Sequence, residues 1–328
     1  MRAVVLTEHG GPEVLRVSDT PAPVPGPDEI LVDVEHAALN RADVLQRMGF
    51  YRDPRKPAVE IPGMEYAGTV AGVGERVTEW SVGDAVMGIE VGGCYAEQVV
   101  THARQAMPIP AGVDRRDAAA IPEVFLTAWD ALVVQGGLTS GRWALVHAGG
   151  SGVGTAAIQI VKAIGANIAV TCSTGKLAAC TALGADLALA RSPADWLAAL
   201  TDALGERGVA GVDVVLDVVG GEEVNRNLAA VREQGRIVQV GLLGGGATAV
   251  EVGVMLMKRI TWTGTMLRAR PLEQKVAICR RFVDEVVPLF ATGALKPVID
   301  RRFALDDIAE AHRVMESNAT VGKILLDI

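Results

Sequence analysis

Residues 148–154, AGGSGVG, form a run of small residues after the apolar stretch WALV and before an apolar segment that ends at Gly165. Small residues let a backbone turn sharply and come close to a ligand. The first N–H groups of the following helix would point at the same spot with no partner inside the helix. Unpaired N–H groups and the positive end of a helix dipole both favour an anion, so the segment suits a pyrophosphate.

Three patterns compete for this segment. An ATPase-type phosphate loop needs GxxxxGK before Ser or Thr. Gly149 and Gly154 have that spacing, but Thr155 stands where the lysine belongs. A hydrolase nucleophile elbow needs GxSxG. Gly149 and Ser151 begin it, but Val153 replaces the final glycine. The dinucleotide fingerprint GxGxxG fits best, with Gly149, Ser151 and Gly154 in its three places and Ser151 standing in for the middle glycine. Gly150, Gly152 and Val153 complete the expected phosphate-binding backbone.

The stretch that follows bears on which dinucleotide. NAD enzymes place an acid about 20 residues beyond the glycine loop to bond the ribose hydroxyl. Between Gly154 and Asp186 this chain has no acidic residue. It offers Thr171, Cys172, Ser173 and Lys176, with Arg191 after the next strand. Hydroxyls and cations suit a 2′-phosphate, so NADPH is the expected cofactor. The competing reading of Lys176 is an exposed helix start.

Composition narrows the class. The chain has 328 residues, long enough for one large or two ordinary domains, and half of them are hydrophobic. No tract approaches the roughly 18 apolar residues of a membrane span. MRAVVLTEHG reads as a strand and turn, not a cleavable signal. A net charge of −8 argues against nucleic acid or an anionic membrane as main partner. Cys94, Cys172, Cys180 and Cys279 are scattered without CxxC spacing, so neither a disulfide framework nor a zinc cluster is indicated. A soluble cytoplasmic protein is expected.

Two architectures must position these groups. Up to about residue 120, MRAVVL, EVLRVSD, EILVDVEHAAL, EYAGTVAGVG, DAVMGI and YAEQVV read as strands broken by Gly and Pro. Two polar inserts interrupt them, LNRADVLQRMGFYRDP and AVEIPGME. From Asp117 the spacing becomes helical, interrupted at Pro122 and ended by Gly136-Gly137. Then come six alternating strand candidates, WALVHA, NIAVTC, LALA, VDVVLDVV, GRIVQVG and ITWTGT. Helices are expected between them near 152–165, 175–184, 193–204, 222–232 and 253–258. Alternation of this kind predicts a parallel, doubly wound sheet covered on both faces. The tail reads as a helix over 272–291, a strand over 298–303, an amphipathic helix over 306–317 and the strand GKILLDI. It is expected to close the first β module, making the fold α/β with the doubly wound domain inserted.

LNRAD (39–43), AAAIPE (118–123), LTA (126–128), HAGGSGVGTAAIQ (147–159) and VGKILL (321–326) resemble the medium-chain dehydrogenase/reductase superfamily, in the right order along the whole chain. Within it the chain is most similar to the zinc-free NADPH:quinone oxidoreductases, particularly the p53-inducible ones. The resemblance implies a GroES-like β domain from both chain ends (1–121 and 266–328), a Rossmann domain between them (122–265), and an active site in the cleft. It also implies a homodimer through the last Rossmann strand.

Zinc members of that superfamily carry Cys where Asn40 stands, and His before Glu where Met64-Glu65 stands. An amide and a thioether leave no sensible catalytic zinc site. Without a Lewis acid, an acceptor whose own π system takes a hydride is the better match. The expected activity is therefore reduction of a quinone by direct hydride transfer, with the product protonated from solvent. Asn40, Tyr51 and Ser151 are the candidate active-site residues. Asn40 is expected to orient the nicotinamide end, and Thr127 joins it as a cofactor contact. Tyr51 is either a phenol that bonds the quinone oxygen or an ordinary loop tyrosine. Ser151 is expected to have a structural role in the loop and also to contact the nicotinamide ribose.

Lys323 is either a cofactor contact from the closing strand or an exposed strand lysine. Val219, Gly241, Leu242, Met266 and Leu267 follow Rossmann strands, where ligands of such sheets bind. Asp217 reads as a strand-end cap and His147 as the end of its strand. Cys94, in GGCYA, is a small buried residue or a reactive thiol. Two other readings stay open: an enoyl or 2-alkenal reductase on the same fold, and an NADPH-binding regulatory or crystallin-like protein with little catalysis.

Overall fold

Hydrophobic side chains alternate along Glu29–Ala38, burying Ile30, Val32 and Val34 while Asp33 faces solvent, which is the period of a half-covered strand. In the computed structural model, which describes residues 1–51, 53–192 and 195–328, this strand is the hub of the first of two compact units. That unit comprises Met1–Leu126 and Leu267–Ile328; the second is Thr127–Met266.

In the first unit the sheet runs, among the described residues, in the order Ile299–Ala304, Lys323–Asp327, Glu29–Ala38, Glu65–Val73, Ala85–Ile89 and Met107–Pro108. Gln98–His102 also pairs with Glu29–Ala38. The tail thus closes the β module. Leu325 lies opposite Ala38 in an antiparallel register, and Leu39 N–H donates to Ile324 O at 2.9 Å. One face packs Val4, Leu39, Tyr95, Ile308, Ile324 and Leu326 into a shared core.

The second unit is an all-parallel sheet in the order Leu187–Ala190, Asn167–Cys172, Trp143–His147, Val212–Asp217, Val231–Gln239 and Thr261–Gly264, among the described residues. All of Trp143–His147 is buried, as a strand covered on both faces requires. Trp196, Leu200 and Leu204 of the helix Trp196–Gly205 pack on one side of it, each worth roughly 1.5–3 kcal/mol of burial. The helix expected over 193–204 begins at Trp196, with Asp195 as its cap; residues 193 and 194 lie outside the described residues.

Three local expectations change. The insert LNRADVLQRMGFYRDP, in which Arg52 lies outside the described residues, contains a helix, Arg41–Arg47. Asp43 starts it by accepting from Asn40 N–H at 2.8 Å, one half of a capping box. The helix over 272–291 is two, Leu272–Glu285 and Val287–Ala291. Pro288 has no N–H and its ring opposes the carbonyl one turn back, so the helix must restart. The segment 306–317 opens with a tight turn, Leu305–Asp307, before the helix Ile308–Glu316.

Candidate functional site

The glycine segment is built by local sterics. Ala148 takes φ 59°, a left-handed conformation costing a non-glycine residue about 1–2 kcal/mol. Gly149 N–H donates to Thr171 O at 2.9 Å and Ser151 N–H to Ala148 O at 2.8 Å, closing the turn. A Cβ on Gly149 would lie 2.6 Å from Val170 Cβ, and one on Gly154 would collide with the carbonyl of Ala148. Both positions therefore require glycine for packing. Ser151 caps the helix Gly152–Ala163, its Oγ accepting from Gly154 N–H at 3.0 Å. The serine in the middle place of the fingerprint thus has its expected structural role, and Gly152 and Val153 form the first turn it caps.

Lys176 reaches the same place from the next strand. A Cβ on Gly150 would lie 2.6 Å from Lys176 Cδ, so the lysine's aliphatic chain crosses directly over the loop. Ser173 precedes the short turn Thr174–Lys176. Arg191 is exposed, its backbone N–H held by Cys172 O at 2.9 Å.

The sheet order places this loop at a switch point. From Trp143–His147 the chain winds outward to Asn167–Cys172 and Leu187–Ala190, then crosses to Val212–Asp217 on the other side. Ligands of doubly wound sheets bind outside the carboxyl ends of the strands at such a point. Ala148–Gly150, Ser173, Val219, Gly241–Leu242 and Met266 all follow the carboxyl ends of strands of this sheet. Leu242 and Met266 are exposed, Thr127 is buried, and Leu267 is a buried residue of the β-rich unit.

A buried hydrogen-bond network ties these strand ends together. His147 bonds Thr171 Oγ1 at 2.8 Å through Nδ1 and Asn227 Oδ1 at 2.7 Å through Nε2. Asn227 Nδ2 donates to Asp217 Oδ2 at 3.0 Å, so its oxygen must receive a proton from His147 Nε2. Asp217 Oδ1 receives Val219 N–H at 2.6 Å and Gly220 N–H at 3.0 Å, making it the strand-end cap the sequence suggests.

The β-rich unit holds a different kind of centre. Lys323 is buried, and its ammonium donates to Leu39 O at 2.5 Å, Asn40 Oδ1 at 2.7 Å and Glu65 Oε1 at 2.6 Å. It is not an exposed strand lysine; all three of its protons are engaged within this cluster. Asn40 Nδ2 donates to the same Glu65 oxygen at 2.8 Å, and Glu123 N–H donates to Glu65 Oε2 at 2.8 Å. Asp43 accepts from Tyr95 Oη at 2.8 Å. Burial pushes the Asp43 carboxyl up to about 6, against the pull of that phenol, the Asn40 N–H, Lys323 and Arg268.

Tyr51 is partly buried beneath the Arg268 guanidinium, 4.8 Å from its ring centroid. Arg268 is itself anchored to Val91 O, Tyr51 O and Gln46 Oε1 at 2.6, 2.8 and 2.7 Å. Desolvation, with a smaller push from Glu123, raises the Tyr51 phenol to about 12. Burial raises the Glu123 carboxyl to about 8, reinforced by Glu65. Cys94 is the buried residue of its two readings, with burial holding its thiol well above the usual range.

Four residues of this centre were not marked by sequence reasoning. Asp43 and Glu123 stand inside the motifs LNRAD and AAAIPE, whose charged members were a usable signal. Tyr95 and Arg268 carry no local pattern. Among the described residues, no group of three or more His, Cys, Asp or Glu is arranged to hold a metal ion. No helix is long and apolar enough to cross a membrane, again among the described residues.

Comparison with known proteins finds relatives along the whole chain. Residues 26–111 match the alcohol dehydrogenase GroES-like domain, and residues 183–326 match the zinc-binding dehydrogenase family. The synaptic vesicle membrane protein VAT-1 homolog of Rattus norvegicus is 30% identical over 345 aligned positions, covering 99% of this chain and 84% of that protein. A crystal structure of an NAD-dependent alcohol dehydrogenase is 33% identical with a TM-score of 0.88, covering all of both chains. The Escherichia coli quinone oxidoreductase complexed with NADPH superposes with a TM-score of 0.89 at 28% identity, also covering all of both chains.

Proposed function

The chain belongs to the medium-chain dehydrogenase/reductase superfamily of oxidoreductases, and from that premise we propose that it is a zinc-independent NADPH:quinone reductase. The observation that carries this reading is the Asn40–Glu65–Lys323 cluster. An amide, the thioether of Met64 and a carboxylate already paired with an ammonium are a poor donor set for Zn²⁺, which wants strong Cys, His or free carboxylate ligands. A site without a Lewis acid suits an acceptor that delocalises incoming charge itself, as a quinone does.

The second unit fits NADPH in this reading. Gly149, Gly150, Ser151, Gly152 and Val153 would hold the pyrophosphate through backbone N–H groups. Ser173, Lys176 and Arg191 would take the 2′-phosphate in place of the absent acid. Thr127, Val219, Gly241, Leu242, Met266 and Leu267 would line the remainder of the cofactor. When bound, NADPH supplies the hydride. In the β-rich unit, Asn40 would orient the nicotinamide and be held in its rotamer by Lys323 and Glu65, so that Lys323 acts through Asn40. Tyr51, whose phenol keeps its proton at neutral pH, would donate a hydrogen bond to the quinone oxygen.

The test is oxidation of NADPH and NADH with ortho-quinone, para-quinone, alkenal and enoyl-thioester acceptors, on wild type and on Lys176→Glu with Arg191→Glu. Quinones should be the preferred acceptors, and the double substitution should raise KM for NADPH at least tenfold while leaving NADH nearly unchanged. Preference for an alkenal or enoyl thioester would move the reading to the enoyl reductases. Tight NADPH binding without turnover would make the protein a binder. An equal rise in KM for both cofactors would remove the phosphate assignment.

The same reading includes a homodimer through Thr261–Gly264. That strand stands at the edge of the parallel sheet, and the preceding helix Val252–Lys258 leaves Val252, Leu256 and Met257 exposed at 65%, 76% and 74%. Such an apolar edge is suited to burial against a second copy. Light scattering should give twice the chain mass; a monomer at micromolar concentration would exclude it.

A further inference from the structure

Two cysteines that lie apart in the sequence meet beneath the glycine segment. Cys172 ends the strand Asn167–Cys172 and Cys180 lies on the helix Leu177–Ala182, both buried as free thiols. The Cys180 thiol donates to Cys172 Sγ at 3.8 Å. The pair also touches the loop, since a Cβ on Gly149 would stand 3.2 Å from Cys180 Sγ. Buried thiols are ordinarily inert and pack as small hydrophobes. These two are in contact with each other at the carboxyl end of a strand, and Lys176 acts on both. The Cys180 hydrogen bond draws the Cys172 thiol below its ordinary range, with burial opposing and Lys176 assisting. The thiolate is the form that reacts with an oxidant.

The backbone around the pair runs to every group expected to hold a dinucleotide phosphate. Thr171 O, one residue before Cys172, accepts from Gly149 N–H. Cys172 O accepts from Arg191 N–H, and Ser173 O from Lys176 N–H, both at 2.9 Å. The Lys176 chain crosses over Gly150. A disulfide holds its sulfurs about 2.0 Å apart, so these two must approach by nearly half their separation to bond. What joins them is the turn Thr174–Lys176 and the start of a short helix, which yield more readily than the sheet. Closure therefore shifts Lys176 and the packing under Gly149. An N–H or ammonium holds a phosphate oxygen only within hydrogen-bond distance, so that shift weakens the grip.

We propose that Cys172 and Cys180 form a redox site, closed to a disulfide by a hydroperoxide, and that closure loosens the glycine loop's hold on the dinucleotide. The regulatory half rests on the reading of that loop as the cofactor site; the disulfide does not. Cys172 keeps residual exposure, 3% against 0% for Cys180, so it meets the oxidant first. Its sulfur attacks the peroxide, the O–O bond breaks, and water or an alcohol leaves with the thiol proton. Cys172 is then a sulfenic acid. The Cys180 sulfur attacks it, the S–S bond forms, the S–O bond breaks, and the hydroxyl leaves as water with the Cys180 proton. The two sulfurs together lose two electrons and the hydroperoxide gains them. A dithiol reverses the change by thiol–disulfide exchange.

The experiment treats the reduced full chain with hydrogen peroxide, alkylates it under denaturing conditions and maps the digest by mass spectrometry. NADPH affinity is measured on the same samples by fluorescence titration. Wild type should yield a peptide cross-linked between Cys172 and Cys180. Its NADPH affinity should fall about tenfold, the equivalent of one weakened phosphate contact, and return with dithiothreitol. Cys180→Ser, compared with itself before peroxide, should give no cross-link and keep its affinity, which also controls for oxidised methionines. Cys180→Ala carries the same comparison without a buried hydroxyl. No cross-link in wild type, or Cys172 recovered only as its sulfinic acid, overturns the redox site. An equal loss of affinity in the Cys180 variants overturns the regulatory role. So does a cross-link with unchanged NADPH affinity, which leaves the dinucleotide reading standing. A reduced wild type that binds no NADPH removes the dinucleotide reading and the regulatory role together, while the cross-link still decides the disulfide.

Discussion

The two units solve the problem of a buried polar centre in opposite ways. In the parallel-sheet unit, His147, Thr171, Asn227 and Asp217 form a chain of hydrogen bonds with a single carboxylate at its end, capped by two backbone N–H groups. In the β-rich unit, Asn40, Asp43, Glu65, Lys323 and Arg268 crowd several formal charges into one interior region. A network with one carboxylate, itself held by backbone N–H groups, needs mainly good geometry. A centre with several charges also needs each ion matched, because an unpaired buried charge costs far more than an unpaired dipole. The first arrangement suits a scaffold that holds strand ends still; the second stores charge imbalance that chemistry can use.

The largest test of this contrast is Lys323→Met. It leaves Glu65 buried without its ammonium and should lower the stability of the β-rich unit by about 3–5 kcal/mol in denaturant unfolding. Adding Glu65→Gln should recover most of the loss, since the charge goes with its partner. A single variant within about 1 kcal/mol of wild type would mean that the pair is solvated and the centre is not a charged interior.

The smaller test is Asn227→Leu in the other unit. It removes the partner of His147 Nε2 and of one Asp217 oxygen, while the other oxygen keeps its two backbone donors, and should cost about 1–3 kcal/mol, the range for a buried group left without its hydrogen bond. Loss as large as that of Lys323→Met would erase the distinction between the two centres. A secondary effect should be loosening of the Val219–Gly220 turn, read as faster amide exchange at those two positions.

Much of the parallel-sheet unit was legible in the sequence. The run of strands and helices there follows from alternation, and the glycine loop is recognisable because its geometry is local. Gly149, Ser151 and Gly154 meet within six residues, and the serine cap spans three. The expected helices were displaced by only a few residues at their ends, where caps compete with tertiary packing. In the β-rich unit the strands were legible from alternation, but the helix Arg41–Arg47 was hidden in a segment that looked merely polar. Its cap, Asp43, is also part of the buried centre, so one residue answers to local and long-range demands together.

The sequence by itself determined the glycine turn, the absence of an acid between Gly154 and Asp186, and the amide of Asn40 and thioether of Met64 at the positions it compared. These are statements about residue type and short spacing, which need no partner from elsewhere in the chain. Only the tertiary structure decided what surrounds Lys323 and Glu123. Lys323 meets Asn40 across 283 positions and Glu65 across 258, and Glu123 meets Glu65 across 58. Sheet register brings them together, with Lys323–Asp327 laid antiparallel on Glu29–Ala38. A side chain's charge state depends on which other charges and how much water surround it, and no local pattern carries that information.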